Sequence, residues 1–198
     1  MRNAQNLRIR SSGAILPGTR GCAGRVEILV SWLRSTADVS EPVVLTLSQL
    51  RRWPVPPHPS TSPVFVIENP SLLMEAASRS WDGPVLVCSS GRPTVAVITL
   101  LRQLGANGAV LYQHADFDPA GLSITTWLAD RVDTVPWKMT GAEYAAAVAL
   151  GRNRVPLAGR LPDTPWDSSL HRAMAQAGAA VYEEELRNRL LDAMLSEP

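Results

Sequence analysis

From residue 63 the chain alternates short apolar runs with amphipathic stretches, and each apolar run ends in polar residues. Val64-Phe-Val-Ile67 is a continuous β-branched and aromatic run, the pattern of a strand buried on both faces. Pro84-Val-Leu-Val-Cys88 and the stretch from Ala109 to His114 repeat it, and Val132-Asp-Thr-Val135 predicts a fourth strand. Between them, Ser71 to Ser80, Pro93 to Leu104, Pro119 to Arg131 and Gly141 to Leu150 have helical composition. Pro93 suits the first turn of its helix, and Gly105, Asn107 and Gly108 stop that helix. Strands alternating with helices of this length predict an α/β fold with a parallel sheet and right-handed crossovers.

The flanks are less regular. Residues 1–24 are polar and glycine-rich, and Val26 to Leu33 reads equally as a strand or a short helix. Residues 1–40 are therefore expected to be an irregular N-terminal segment. Residues 41–62 read as a strand (Val43 to Leu47), a short helix (Ser48 to Trp53) and a linker punctuated by Pro54, Pro56, Pro57 and Pro59 and closed by Pro63. Residues 63–150 form the core unit, and 151–198 a C-terminal helical extension with helices over Ser168 to Ala177 and Tyr182 to Leu195. The last helix carries Leu186, Leu190, Met194 and Leu195 along one stripe. Glu183 and Glu185 stand four residues before Arg187 and Arg189, so these glutamates read as solvated helix charges.

Composition narrows the partners. Lys+Arg 19 against Asp+Glu 18 gives a net charge of +1, less basic than a self-sufficient nucleic-acid binder usually is. If DNA is the substrate, the phosphate-binding charge lies mainly on another domain or partner. Arg51 and Arg52 read as a solvated basic patch, with a DNA-backbone contact as the alternative. Cys22 and Cys88 lack metal spacing and read as reduced thiols. No stretch suits a bilayer, and the polar start lacks the apolar core of a secretion signal, so a cytoplasmic protein is expected.

Candidate chemistry gathers at the carboxyl ends of the strands, where parallel sheets place their ligands. Glu68 ends the first strand, the Ser89-Ser90-Gly91-Arg92 turn comes after the second, and Asp116 and Asp118 come after the third. Residues two apart on extended chain point the same way, so both aspartates can face one ion. Mg²⁺ takes hard oxygen ligands, commonly one or two carboxylates with water or phosphate oxygen. Taken alone, Asp-x-Asp more often caps the next helix or shapes a turn. His114 shares the side of Asp116 and could contact phosphate or orient a ligand, or be an ordinary hydrogen-bonded strand-end histidine. Arg92, with Ser90, Gly91 and the amides opening the next helix, could clamp a phosphate; an ordinary surface arginine is the alternative.

In combination these motifs resemble the Toprim domain of topoisomerases, primases and several nucleases. Glu68 in Val-Ile-Glu matches its glutamate, Gly91-Arg-Pro its glycine-proline element, and Asp-Phe-Asp-Pro-Ala-Gly (116–121) the Asp-x-Asp-Pro-x-Gly of the type IIB topoisomerase A subunit and its meiotic relatives. A narrower resemblance is to the C-terminal Toprim region of Wadjet-type anti-plasmid nuclease subunits, encoded beside SMC-like ATPases. It is carried by Val-Phe-Val-Ile-Glu-Asn-Pro, Val-Cys-Ser-Ser-Gly-Arg-Pro, His-Ala-Asp-Phe-Asp-Pro-Ala-Gly, Val-Pro-Trp (135–137) and Thr-Pro-Trp-Asp (164–167), across residues 41–195.

The resemblance implies a Toprim (Rossmann-like) four-stranded parallel sheet flanked by helices, and Mg²⁺ or Mn²⁺ held by Glu68, Asp116 and Asp118. Glu68 could instead serve as general base. It further implies metal-dependent cleavage of double-stranded DNA, with an SMC-type ATPase complex and a separate winged-helix domain as partners, and a homodimer as a further possibility. Family members carry a large N-terminal region, in the topoisomerase relatives a winged-helix domain with a catalytic tyrosine. Here only residues 1–40 precede the match, and Tyr112, Tyr144 and Tyr182 all lie within it. A truncated or split protein is therefore expected, those first residues being the remnant of a missing domain. Two rivals stand beside this reading. A haloacid-dehalogenase-like phosphatase also uses Asp-x-Asp, but at its first core strand. A Toprim scaffold would bind metal or a partner and cut nothing alone.

Overall fold

Strands whose successive side chains are all apolar can be buried only if helices cover both faces of their sheet. The computed structural model, which describes residues 6–7, 23–55, 63–151 and 155–196, has that layout. In chain order its elements are β1 (Asn6–Leu7), α1 (Ala23–Asp38), β2 (Val43–Val44), α2 (Leu47–Arg52), β3 (Pro63–Ile67), α3 (Pro70–Ser78), β4 (Val85–Cys88) and α4 (Val95–Ala106). Then come β5 (Val110–Gln113), α5 (Pro119–Val132), β6 (Val135–Pro136), α6 (Gly141–Leu150), β7 (Val155–Pro156), α7 (Ser168–Ala177), β8 (Ala179–Ala180) and α8 (Glu183–Ser196). The four expected strands are parallel in the order β4-β3-β5-β6, with Phe65 opposite Leu86 on one side and Tyr112 on the other. β1 and β2 extend the β4 edge antiparallel.

Alternation along the strands sorts the core into two layers. Phe65, Ile67, Leu86 and Cys88 face one way, onto Leu72 and Leu73 of α3, Tyr144 of α6, Met174 of α7 and Leu190 of α8. Val64, Val66, Val85, Val87 and Leu111 face the other way, onto Leu101 of α4, Leu128 of α5, Leu50 of α2 and Leu33 of α1. The fold class read from the sequence is thus the one observed.

Several boundaries move, each for a local reason. Residues 23–38 are helical rather than irregular, and Leu33 is 3% exposed in the valine-side core. Residues 1–5 and 8–22, Cys22 included, together with Pro56, Pro57 and Pro59, lie outside the described residues. α4 opens at Val95, not Pro93, because Thr94 is the extended N-cap. α5 runs on to Val132 and stops where Asp133 adopts a left-handed conformation (φ 57°), so the fourth strand begins only at Val135. Among the described residues no helix is long and apolar enough to cross a membrane.

The C-terminal segment is not an appendage. Leu170, Met174, Val181, Leu186, Leu191 and Met194 share a single buried cluster with Phe65 and Phe117. α6 and α7 approach so closely at Gly141 that a Cβ there would sit 2.9 Å from the Ser169 backbone. Tyr144 of α6 reaches across to donate its hydroxyl to the Ala179 carbonyl at 2.6 Å. Tyr144→Phe removes this buried bond and is expected to destabilise the chain by about 1–2 kcal/mol, measurable as a lower urea midpoint at unchanged m-value.

Candidate metal centre

β3 and β5 are neighbours in the sheet and end at the same edge. The two strand ends lead into their helices by turns of the same construction. After Glu68, Asn69 caps α3 by accepting the Ser71 amide, and Pro70 takes the first helical position. After Asp116, Asp118 caps α5 by accepting the Gly121 amide at 2.7 Å, and Pro119 takes the first position. The Asp116 amide in turn donates to Glu68 Oε2 at 3.4 Å, so the ends of β3 and β5 are joined through the acid itself. Gly121 is part of the same arrangement: a Cβ there would overlap the Asp116 carbonyl. The helix can lie against the acidic strand end only with glycine at that place.

A further acid completes the cluster from the far end of the chain. Phe117 pairs with Val181 in an antiparallel bridge, its amide donating to the Val181 carbonyl at 2.8 Å. That bridge sets Glu183, the first residue of α8, directly behind the strand ends, with 0% of its surface exposed. Glu183 Oε2 accepts the amides of Glu68 (2.9 Å) and Asn69 (2.6 Å). Its own amide donates to Asp116 Oδ1 at 2.6 Å, and its Oε1 lies 3.0 Å from His114 Nδ1. The reading of Glu183 as a solvated partner of Arg187 is therefore corrected. The signal is in the spacing: Glu183 lies three residues before Leu186 and seven before Leu190, on the buried stripe rather than beside it.

Burial and mutual repulsion shape the charge state. Burial lifts the Glu68 carboxyl to about 8, helped by the charges of Asp116 and Glu183. Burial lifts Asp116 to about 7, against the bond from the Glu183 amide, with the Glu183 and Asp118 charges adding to the rise. Glu183 is pushed up to about 8 by burial, against the Asn69 and Glu68 amides, and burial lowers His114 to about 4. Burial thus disfavours charge on both His114 and Glu183, which face each other at 3.0 Å.

The donor set suits a hard cation. Glu68 Oε1, Asp116 Oδ2 and Asp118 Oδ2 are the oxygens left over once their partner oxygens have accepted backbone amides, all at one sheet edge. Among the described residues no three His, Cys, Asp or Glu side chains are already arranged around one ion position. Mg²⁺ does not need such a cage, since one or two carboxylates with water or phosphate oxygen satisfy it.

The other expected site residues divide. His114 is 2% exposed with its ring edge-on to Phe117, so a direct phosphate contact is corrected to an internal role beside Glu183. The Gly91 amide turns inward and donates to the Glu68 carbonyl at 3.3 Å, which leaves it unavailable to a phosphate. Ser90 (φ 54°) and Gly91 (φ 80°) form a left-handed corner that presents Ser90 and Arg92 to solvent beside Glu68. Arg92 precedes the N-cap Thr94 by two residues, so it is not part of the opening turn of α4.

No curated protein matches the chain. The family model described as "Protein of unknown function C-terminus (DUF2399)" matches residues 43–194, a span that takes in Glu68, Asp116, Asp118 and Glu183. The chain belongs to this DUF2399 family.

Proposed function

We propose that the chain is a Toprim-type metal-binding module, the metal-bearing part of a DNA-cleaving assembly of the Wadjet, SMC-associated kind. The observation that carries the reading is the meeting of Glu68 and Asp116 at one sheet edge, joined at 3.4 Å, with Asp118 next to them. Glu68, Asp116 and Asp118 would hold Mg²⁺ or Mn²⁺, which when bound neutralises charge on a scissile phosphate and activates a water or hydroxyl. Asp118 keeps one oxygen on the Gly121 amide, which fixes the angle of the other. Glu68, its carboxyl raised to about 8 by burial, would accept a proton at Oε1 in its ionised form when it is not a ligand. Ser90 and Arg92, exposed on the neighbouring corner, would steady a phosphodiester. Double-stranded DNA as substrate, and a winged-helix domain and SMC-type ATPase as partners, come from the resemblance of the motifs.

A second reading, a Toprim scaffold that cuts nothing by itself, is favoured by the net charge of +1, since binding to DNA rests largely on neutralising phosphates. The test is reconstitution with the winged-helix domain and the SMC-type complex on circular plasmid. Mg²⁺-dependent cleavage is expected with the parent chain and is lost in Glu68→Ala and Asp118→Ala. Variants that cut as well as the parent would leave only the scaffold.

A further inference from the structure

Glu183 presents a problem that its own helix does not explain. A fully buried carboxyl on an apolar stripe costs several kcal/mol unless every oxygen is bonded, and leucine would fill the same stripe without that cost. The bonds it makes all lead to the acidic edge. Its Oε2 takes the amides of Glu68 and Asn69, the turn between β3 and α3. Asn69 is the N-cap of α3 and Glu68 precedes it, so neither amide has an acceptor within the helix. Its own amide fixes Asp116 Oδ1, and His114, two residues from Asp116, steadies Oε1. α8 packs on α3, and Arg79, the residue that ends α3, bonds Asp192 (3.0 Å) and Asn188 (2.6 Å) of α8 as well as Glu75 (2.9 Å).

We propose that Glu183 is a positioning residue for the acidic centre, gripping the Glu68 backbone with its carboxyl and the Asp116 side chain with its amide, so that the centre takes shape only when α8 is docked. The inference rests on the metal reading of Glu68 and Asp116 but assigns Glu183 no bond to the metal. Geometry, not charge, is what Glu183 supplies. Glutamine can therefore replace it: one oxygen serves both amides, and the NH₂ group faces His114 Nδ1, to which it donates in the tautomer with the proton on Nε2. Alanine leaves both amides without an acceptor, and Glu183→Asp retracts the carboxyl by one methylene.

Two measurements on the full chain test this. Amide hydrogen exchange needs no metal, and protection of Glu68 and Asn69 is expected to fall in Glu183→Ala and Glu183→Asp but to persist in Glu183→Gln. Calorimetric Mn²⁺ titration is expected to show affinity weakened about 10–100-fold in Glu183→Ala and Glu183→Asp, and within about threefold of the parent in Glu183→Gln. Should Glu183→Ala not fold, the aspartate and glutamine pair gives the same contrast. Unchanged protection and affinity in Glu183→Asp overturns the proposal. So does a Glu183→Gln chain that keeps its amide protection but binds Mn²⁺ as poorly as Glu183→Asp, because Glu183 would then act by charge as a ligand. Asp116→Asn separates the two levels. If it binds Mn²⁺ as the parent does, or the parent binds none, the metal reading fails and the affinity claim falls with it. If Asp116→Asn weakens binding while the Glu183 variants do not, this inference alone fails.

Discussion

Gly121→Ala is expected to lower the melting temperature by roughly 4–8 °C, although alanine is the better helix former. Alanine gains about 1 kcal/mol over glycine inside a helix. Against that stands the new Cβ, which falls on the Asp116 carbonyl with the Asp116 amide 2.9 Å away. The obstructing atoms are backbone, so no rotamer change relieves them, and the overpacking sits near ~3 kcal/mol, the upper end of its usual range. The net loss is about 2 kcal/mol. Ala120, exposed and one residue earlier in the same helix, is the control. Ala120→Gly loses only the propensity, about 1 kcal/mol, and leaves Asp116 alone. Gly121→Ala must also shift either the Asp116 carbonyl or the Gly121 amide that Asp118 holds, so it should blunt any stabilisation by Mg²⁺. A Gly121→Ala chain melting at or above the parent would show that α5 does not constrain the acidic strand end.

The sheet is legible in the sequence because its strands violate the usual alternation of apolar and polar residues. Runs such as Val64 to Ile67 and Val85 to Cys88 leave no polar face, which requires helices on both sides and hence parallel neighbours. The hidden parts are those decided by tertiary contact. α1 shows no period strong enough to choose helix over strand, and it is settled as a helix by packing that buries Leu33 on the valine side. The sequence starts β6 too early because Val132 and Val135 both suit a strand, whereas Asp133 at φ 57° ends a helix there.

The centre itself is half legible. Glu68, Asp116 and Asp118 stand at strand ends that sequence periodicity can locate, and the cap-then-proline grammar after each fixes where the next helix begins. Glu183 lies 67 residues from Asp116 along the chain, and only the Phe117–Val181 bridge makes them neighbours. Periodicity puts His114 on the correct side of β5, but whether that side meets solvent or another element depends on α8. The elements that pack behind the edge convert a strand-end histidine into a buried partner.

Between pH 6.5 and 8 the metal-free chain is expected to lose roughly 2 kcal/mol of stability as pH rises. Glu68 at about 8, Asp116 at about 7 and Glu183 at about 8 stand above ordinary values of 4.5, 3.8 and 4.5. The folded chain therefore keeps protons that the unfolded chain has released, and unfolding becomes easier as these carboxyls ionise. Their contribution is fully present below about pH 4 and disappears through pH 7–8. His114 works in the opposite sense: at about 4 against an ordinary 6.5, it favours the folded state less as pH falls below 6.5. The two trends offset each other at acid pH, which leaves the range above 6.5 as the clean window. Neighbouring acids titrate as a unit, so the loss is smaller than three independent groups would give. Mg²⁺ should offset most of it, adding about 1.4 kcal/mol at ten times its dissociation constant. The rescue should be larger at pH 8 than at pH 6, where protons compete for the carboxyl oxygens. Asp116→Asn should both flatten the pH profile and shrink the Mg²⁺ shift. Thermal melts of parent and variant across this range, in EDTA and in Mg²⁺, decide the matter. A profile flat from 6.5 to 8, or unchanged in Asp116→Asn, would mean that the acids are already neutralised within the fold and hold no place for a cation.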